Sequence, residues 1–502
     1  MTAGTWAPPA PDSPRWSLPI GLGGALYLCV AGWLAWRTRV FIDEIWLIEW
    51  GRVLLDPSTT HSMYMFADGT SLRIVAWFGP ILSELLFRLS ASVVAFRWLS
   101  ILAMMLVAAA IFRLARNHGL GTGLALLLAA AVLLDPTLAQ SVVLGRPDAL
   151  ALFFAIGGLL LADIGGARVL AARPGWTLVA IGYAACAFAP SVWISAVLLG
   201  PLLASHWLWN WIRLRRSGAA PGKASAAFLG VPILVVLATI DIAHIWSVRQ
   251  AHASNPLFTA WTSWDSLRSI PSLLAVSLFL VLPGFVALML IRPRWVALML
   301  FTGICLIFAS GFYPFRIPYL LMYCVAATAL LIGQSRSSLQ VDAWRRYLVV
   351  AVGVAIALMV LRVGFALVNE VRIAPRQTWL SELPAGTAVA DYSWDFYESG
   401  RSHGLRMVRS YPGDGGDQVL LWLKRFAPDV VIRAIDSTGT WVLVDDLDDK
   451  LRGAGYCPGE WIDAQGRSVS PDLVPRPVPS PMLWRLGLFR DHGPYVLWRP
   501  CG

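Results

Sequence analysis

The chain has 502 residues, of which 57% are hydrophobic and only 14% are charged, and its mean hydropathy is +0.63. This composition excludes a soluble enzyme with one large core and is typical of a protein that crosses a membrane many times. The formal net charge of +10 comes mainly from Arg. In a membrane protein such a charge indicates topology and phosphate binding rather than nucleic-acid binding.

The N-terminal part predicts a leader, a first span and a long connection. Residues 1–16 are rich in Pro, and we expect them to be disordered. The first span covers about 18–36, and residues 37–96 connect it to the next span. Segments 44–55 and 71–89 of this connection place apolar residues at helical spacing with charges between them. We expect both to be amphipathic helices that lie on the membrane surface.

Further apolar segments predict the remaining spans and a mainly α fold class. A break at Ala189-Pro190-Ser191 divides 176–211 into two closely joined spans. The other spans cover about 96–114, 120–139, 149–162, 226–247, 271–291, 295–312, 316–333 and 346–368. The polytopic membrane domain therefore extends over 17–368, with about 11 transmembrane helices.

The tail, residues 369–502, changes abruptly to polar residues and Gly/Pro turns. Segments 387–390, 429–432 and 440–444 are typical of short strands, and 418–426 is typical of a helix. We expect a small α/β domain here. The six cysteines include no C-x-x-C pair, so no zinc or redox motif is visible, although Cys457 and Cys501 in the polar tail are able to form a disulfide.

The distribution of Lys and Arg predicts the orientation. Alternate connections, starting with the one after the second span, carry most of the Lys and Arg, whereas the short connections of the other face carry only Arg146, Arg249, Arg268 and Arg316. Because positively charged connections stay in the cytoplasm, we expect a cytoplasmic N-terminus. The first loop and the tail then lie outside, on the periplasmic face of a cell inner membrane.

Two acidic sites fall on this external face. Asp43 and Glu44 follow the first span, and Asp148 begins a later span in the motif Arg146-Pro147-Asp148. Carboxylates at the mouth of membrane helices are costly unless they have a function or a partner. The alternative is that all three are ordinary first-turn carboxylates, which the helix dipole stabilises.

Arginines on the same face are candidates for phosphate binding. Arg316 lies among prolines and aromatic residues at the external end of a span, where it could also extend to lipid headgroups. The planar guanidinium matches phosphate oxygens, and Arg52 and Arg73 in the surface helices are further candidates. Carboxylates and Arg on one face suit transfer from a lipid phosphate to a hydroxyl, with a carboxylate as general base and Arg stabilising the departing phosphate.

The order of these features resembles the membrane-embedded glycosyltransferases of the C-type fold. Among them the chain looks most like the bacterial relatives of protein O-mannosyltransferases and the lipid A aminoarabinose transferase, a family 39-like group. The matching pieces cover about 18–335 and are Asp43-Glu44, the surface-helix loop, 96–100 (FRWLS), 142–152 (VVLGRPDALAL) and 315–319 (FRIPY).

The resemblance implies a polyprenyl-phosphate sugar as donor and a hydroxyl of an external glycan, lipid or protein as acceptor, generally with inversion of the anomeric centre. It implies that Asp43 is the catalytic base, that Asp148 shares the active cavity and that Arg316 contacts the lipid phosphate. With these we group Glu44, which shapes the acidic cavity, and Arg146, which holds phosphate.

A metal cofactor and two other functions are compatible with parts of this sequence. Some members of that family bind a divalent cation near the acidic pair, but the sequence shows no dedicated ligand cluster, so a cation near Asp43 is an option and no metal ligands are assigned. A transporter or flippase of a lipid-linked or anionic substrate would also need buried charges, but should show internal repeats with broken helices, and none is visible. A non-catalytic assembly protein would tolerate replacement of Asp43 and Asp148.

Overall fold

The computed structural model describes the larger part of the chain. The described residues are 17–38, 40–56, 58, 76–218, 223, 226–240, 277–309, 316–335, 337–368, 379–393, 395–408, 420, 423–434, 447–463, 465–470 and 494–501. Arg73, the leader 1–16 and the strand expected at 440–444 lie outside them. Of the helix expected at 418–426, residues 420 and 423–426 are described, and they are helical.

The fold is mainly helical, as its composition predicts. The first half contains α1 (Ser17–Arg37), α2 (Ile42–Leu55), α3 (Phe78–Ser90), α4 (Val94–Asn117), α5 (Thr122–Leu133), α6 (Pro136–Val143), α7 (Asp148–Leu170) and α8 (Trp176–Val192). After a 3₁₀ turn at Ile194–Leu199 come α9 (Gly200–Arg216), the π turn Ala226–Gly230, α10 (Val231–Thr239), α11 (Leu278–Leu290), α12 (Arg294–Ala309), α13 (Ile317–Gln334) and α14 (Ser338–Val368).

The described residues do not confirm the expected count of eleven membrane spans. Among the described residues, five helices are long and apolar enough to cross a membrane, namely α1, α4, α7, α13 and α14. A sixth span results if α5 and α6 are counted together, although they meet at an angle of 53°. Four shorter apolar helices cover Trp176–Val192, Ala226–Thr239, Phe279–Leu290 and Arg294–Phe308. The count of eleven is therefore not confirmed, while the polytopic membrane class is.

The span expected at 120–139 is broken because of two adjacent residues. Asp135 caps α6, since its Oδ1 accepts hydrogen bonds from the backbone N–H groups of Thr137 and Leu138 at 3.0 and 3.1 Å. Pro136 occupies the first helical position, where its missing N–H costs nothing. Together they end one helix and start another in the middle of an apolar segment.

Helices α7 and α8 pack with their backbones in close approach. A Cβ on Gly158 would lie 2.5 Å from the carbonyl oxygen of Gly182, and a Cβ on Gly182 would lie 2.5 Å from the backbone nitrogen of Ala162. Small residues of this kind allow membrane helices to approach closely. This pair forms a rigid part of the core beneath the N-terminus of α7.

The C-terminal part contains a five-stranded mixed sheet. Its strands are β1 (Ala388–Asp391), β2 (Arg406–Val408), β3 (Val430–Ala434), β4 (Tyr456–Ile462) and β5 (Tyr495–Pro500), with the short helices α15 (Tyr397–Ser402) and α16 (Leu447–Gly453). The order is β2-β1-β3-β5-β4, with β1 parallel to β2 and β3, and with β5 antiparallel to β3 and β4. Cys457 and Cys501 form a disulfide. We refer to the described residues of 379–501 as the sheet region.

The sheet region covers α2, which is therefore buried rather than exposed on a surface. Ile45 and Ile48 of α2 share one hydrophobic cluster with Phe396 and Tyr397 of the sheet region. Glu44 and Glu49 of α2 are buried as well. The N-terminus of α2, with Asp43, thus lies where the membrane helices meet the sheet region.

Candidate active site

Arg146 joins the two acidic positions that the sequence singles out. Its Nε donates to Oδ2 of Asp148 at 2.8 Å, and its Nη1 donates to Oδ2 of Asp43. Asp43 and Asp148 are far apart in the chain, so the fold brings together the starts of α2 and α7. The side chain of Asp43 keeps 27% of its surface exposed, whereas Arg146 and Asp148 are buried. Asp43 is therefore the accessible member of this group.

Asp148 is held by three donors. Besides Arg146, the hydroxyl of Ser141 donates to Oδ2 at 3.2 Å and the phenol of Tyr319 donates to Oδ1 at 2.8 Å. Both oxygens are thus engaged, and the first turn of α7 stabilises the charge. Asp148 is suited to orienting Arg146 rather than to taking up a proton.

The two oxygens of Asp43 differ in their hydrogen bonds. Arg146 binds Oδ2, and no group of the described residues donates a hydrogen bond to Oδ1. A carboxylate that is oriented through one oxygen and accessible through the other has the geometry of a general base.

Glu44 lies next to Asp43 but has a different environment. Its two oxygens accept from Nε and Nη2 of Arg97 at 2.6 Å each, and Oε2 also accepts from the backbone N–H of Phe41 at 2.8 Å. The Nη1 of Arg97 donates to the carbonyl oxygens of Ala35 and Thr38 at 2.6 Å. Burial raises the pKa of Glu44, and the charge of Arg97 acts against this increase. The pair joins the end of α1 to the start of α2.

Gly145 allows the Arg146 segment to approach this pair. Its φ is +59°, in the left-handed region that Gly tolerates. A Cβ at this position would lie 2.6 Å from Oε1 of Glu44 and 3.0 Å from Cγ of Arg97. The Glu44–Arg97 pair therefore supports both halves of the site, α2 and the turn before α7.

Three tryptophan rings pack in a row beside Arg146. The guanidinium carbon lies 5.7 Å from the centre of the Trp193 ring, a cation–π distance. Trp193 meets Trp46 edge to face at 6.4 Å, and Trp46 meets Trp50 at 4.6 Å. The indole Nε1 of Trp193 is buried and has no acceptor among the residues that the structure describes.

The other candidate arginines have separate locations. Arg316 directly precedes α13, is partly buried and acts electrostatically on Tyr319, so it belongs to this neighbourhood. Arg52 pairs with Glu49 at the far end of α2, about 14 Å along the helix from Asp43. The fold therefore does not bring Arg52 to the Asp43–Arg146–Asp148 group.

The residues near Asp43 do not fit a divalent cation well. Within the described ranges, no group of three or more His, Cys, Asp or Glu side chains is arranged to hold a metal ion. The guanidinium of Arg146 also stands between the carboxylates of Asp43 and Asp148, where its charge would repel a cation.

Sequence reasoning assigned no role to four contributors, namely Arg97, Ser141, Trp193 and Tyr319, although Arg97 and Tyr319 lie in the motif pieces 96–100 and 315–319. Two of them had a visible signal. Arg97 enters an apolar span, where a charge calls for a partner. Tyr319 follows Arg316 by three residues and therefore shares the same end of α13. Ser141 and Trp193 had no signal of comparable strength.

The helices and the site define a polytopic membrane protein with a buried charge cluster beneath a small sheet. No protein-family model matches the chain, and no curated protein matches its sequence significantly. Its structure is similar to that of ArnT from Cupriavidus metallidurans in the apo state, with a TM-score of 0.50 and 16% identity over 84% of this chain and 93% of that chain. ArnT is a lipid A aminoarabinose transferase with the C-type glycosyltransferase fold.

Two other solved structures show weaker similarity. The same ArnT bound to undecaprenyl phosphate gives a TM-score of 0.49 with 14% identity over 84% of this chain and 94% of that chain. The archaeal oligosaccharyltransferase AglB from Archaeoglobus fulgidus, in complex with an inhibitory peptide and a dolichol-phosphate, gives 0.43 with 11% identity over 94% of this chain and 78% of that chain. The resemblance to the C-type fold is confirmed at the level of the fold.

Proposed function

We propose that this protein is a membrane glycosyltransferase that moves a sugar from a polyprenyl-phosphate donor to a hydroxyl of a glycan, lipid or protein. The observation that carries the proposal is the partly exposed carboxylate of Asp43, whose Oδ2 is fixed by Arg146 and whose Oδ1 accepts no hydrogen bond from the described residues. The similarity in fold to ArnT and the order of the sequence motifs favour this class. They also favour a polyprenyl-phosphate sugar as the donor.

The reaction uses Asp43 as general base. Its Oδ1 accepts the proton of the acceptor hydroxyl. At the same time the hydroxyl oxygen forms a bond to the anomeric carbon of the donor. The bond between the anomeric carbon and the phosphate oxygen breaks, and its electron pair leaves with the polyprenyl phosphate. The proton on Asp43 then passes to the released phosphate or to solvent. A positioned base of this kind contributes about 10²–10⁴-fold to the rate.

The arginines have separate tasks in this mechanism. Arg146 is already shared by Asp43 and Asp148, so its task is to orient Asp43 and to add positive charge beside the leaving phosphate. Arg316, at the start of α13, is the residue that we assign to the phosphate itself. Glu44 acts through Arg97 as a positioning residue. The mechanism contains no metal step.

The domain organisation and orientation are part of the same proposal. Residues 17–368 form the membrane domain, 369–502 form the external α/β domain and 1–16 form a leader. The protein lies in a cell inner membrane with its N-terminus in the cytoplasm. The site, which lies beneath the sheet region, then faces the periplasm, where an external acceptor can reach Asp43.

A transfer assay on the purified full-length chain tests this function. The protein is incubated with radiolabelled polyprenyl-phosphate sugars and an extract of envelope glycans, lipids and proteins. The proposal predicts that labelled acceptor and free polyprenyl phosphate appear in equal amounts. If the intact donor instead crosses the membrane of reconstituted vesicles without cleavage, the protein is a flippase and the proposal is wrong.

A further inference from the structure

A buried arginine lies away from the candidate active site, on the last membrane helix. Arg362 of α14 keeps only 5% of its surface exposed. Its Nη2 is buried and has no acceptor among the described residues. Arg362 forms no ion pair with any residue that the structure describes, although an ionised side chain within a span is expensive unless it has a partner or a ligand.

The protein around Arg362 does not neutralise its charge. Within the described ranges, the phenol of Tyr27 acts favourably on Arg362, and the buried guanidinium of Arg97 repels it. The carboxylate that pairs with Arg97, Glu44, is bound to Arg97 through both oxygens. The charge balance at this position is therefore one cation in excess.

Arg362 lines a cleft between α14 and the break that separates α5 from α6. The cleft is shallow and open on one side, and its enclosed part has a volume of about 10 Å³, room for about one water-sized group. Apart from Arg362 its lining is apolar, namely Leu134, Pro136, Ala139, Ala355, Leu358 and Met359. On the other side of α14, Ile356, Val360 and Leu361 are exposed, so this helix lies at the edge of the bundle.

The cleft has a polar end and an apolar end. Arg362 lies near the end of α14 that leads to the sheet region, where Arg37 also donates to the carbonyl oxygen of Ala366 at 3.1 Å. Ala355 lies seven residues earlier, about 10 Å deeper along the helix axis. A ligand with an anionic head and an apolar chain would match this arrangement, with its head at headgroup level.

We propose that this cleft binds a lipid with a phosphate headgroup, taken from the surrounding membrane, and that Arg362 holds the phosphate. Guanidinium and phosphate form paired charge-assisted hydrogen bonds, which would satisfy the buried Nη2. The chain of the lipid lies along Met359 and Ala355. The site is separate from the Asp43 group, because α6 stands between them, with Ala139 towards the cleft and Ser141 bonded to Asp148.

Native mass spectrometry of the full-length protein tests the proposal. Delipidated protein is offered phosphatidylglycerol, a polyprenyl phosphate or a fatty alcohol, each with and without inorganic phosphate. We expect phosphatidylglycerol, the polyprenyl phosphate or both to bind the wild-type protein, and we expect inorganic phosphate not to displace them. The ligand that binds more tightly identifies the source of the phosphate, a bilayer phospholipid or the polyprenyl carrier.

Three variants distinguish the role of Arg362 from general effects. Arg362→Met should weaken lipid binding about tenfold or more. Ala355→Phe should also weaken it, because the ring fills the apolar part while Arg362 stays. Arg345→Met, which removes an exposed arginine from the same helix, should bind lipid like wild type.

Thermal unfolding provides the second readout. Without lipid, Arg362→Met should be at least as stable as wild type, because an unpaired buried charge is removed. Added phosphate lipid should raise the Tm of wild type and leave that of the variant unchanged. Equal lipid binding by Arg362→Met and Arg345→Met, or equal stabilisation by the fatty alcohol, would overturn the proposal.

Discussion

Two adjacent carboxylates, Asp43 and Glu44, have different environments because their partners differ. Glu44 is buried and bound through both oxygens to Arg97, which is itself buried. Asp43 is partly exposed, and the described residues bind it through Oδ2 alone. The pair is therefore one buried carboxylate with both oxygens bonded and one partly exposed carboxylate, which suits the base role that we propose for Asp43.

The structural role of Glu44 leads to a stability prediction. Glu44→Gln leaves the charge of Arg97 buried without a counter-ion, and breaking a buried pair in this way costs about 3–5 kcal/mol. We expect a clearly lower Tm in detergent. Glu460→Gln, at an exposed position, serves as the control. An unchanged Tm for Glu44→Gln would show that the pair does not stabilise the fold.

The contact between Tyr319 and Asp148 leads to a prediction about sugar transfer. Tyr319→Phe removes the hydrogen bond to Oδ1 of Asp148, an interaction with a charged group that is worth about 1.5–3 kcal/mol. We expect slower sugar transfer, because Arg146 and Asp43 lose part of their support. Tyr323→Phe, one turn later, loses a bond to the carbonyl oxygen of Leu198 and should keep its transfer rate. Equal rates for both variants would contradict the positioning role of Tyr319.

At this scale the sequence predicted the members of the site better than their contacts. Asp43, Arg146 and Asp148 share one face by span order, and the structure brings them together. The contact between Tyr319 and Asp148 depends on how the first turn of α13 packs against that of α7. No local pattern encodes that packing, and the same is true of the Arg146–Trp193 contact.

Among the elements, α2 is held from two sides. The Glu44–Arg97 pair fixes its start, and Arg401 of α15 fixes its second half. Arg401 donates to Oε1 of Glu49 at 2.9 Å and to Oε1 of Glu84 on α3 at 3.1 Å. Tyr397, one turn earlier in α15, also donates to Glu49. The sheet region therefore anchors the helix that carries Asp43.

The contacts of Arg401 with Glu49 and Glu84 predict that a substitution in the sheet region will change the stability of α2. Arg401→Met removes hydrogen bonds to the buried carboxylates of Glu49 and Glu84, which keep Arg52 and Arg88 as partners, and bonds to charged groups of this kind are worth about 1.5–3 kcal/mol. We expect faster hydrogen exchange in α2 and α15 of the full-length protein. Arg406→Met, at an exposed position of β2, is the matched control. If the hydrogen-exchange rates of α2 in Arg401→Met equal those in Arg406→Met, then Arg401 does not stabilise α2.

The break between α5 and α6 shows what element prediction overlooked. Asp135-Pro136 is a cap followed by Pro at the first helical position, a recognised helix start. Counting apolar residues over 120–139 ignored this signal and gave one continuous span. The break matters because its residues line the cleft that contains Arg362.

For the whole molecule, hydropathy predicted the class but not the number of spans. Several expected spans correspond to helices shorter than a bilayer, such as Arg294–Phe308. Hydropathy measures the free energy of transfer, which does not report helix breaks or tilts. Nor did it indicate that the sheet region would bury α2, because that contact joins residues more than 300 positions apart.

The sheet region should respond to pH through Asp391. Burial, together with nearby Asp395, raises the pKa of Asp391 to about 6 from an ordinary value of 3.8. The folded state thus holds the proton more tightly than the unfolded state. The stabilisation is complete below about pH 4 and is lost as the pH rises through about 6, with a total near 3 kcal/mol.

Hydrogen exchange of β1 in the full-length chain measures this effect. Protection, corrected for the intrinsic pH dependence of exchange, should fall between pH 4 and pH 7. Asp391→Asn should show a smaller fall, while Asp449→Asn, at an exposed position, should behave like wild type. Protection of β1 that rises over this range would contradict the assignment.

The most direct test of the account is the rate of sugar transfer by Asp43→Asn. Purified wild type, Asp43→Asn and the exposed control Asp449→Asn are compared at saturating donor, with donor binding and Tm measured in parallel. The account predicts a rate about 10²–10⁴-fold lower for Asp43→Asn, with binding and Tm unchanged. Transfer by Asp43→Asn at the wild-type rate would contradict the role of Asp43 as the base.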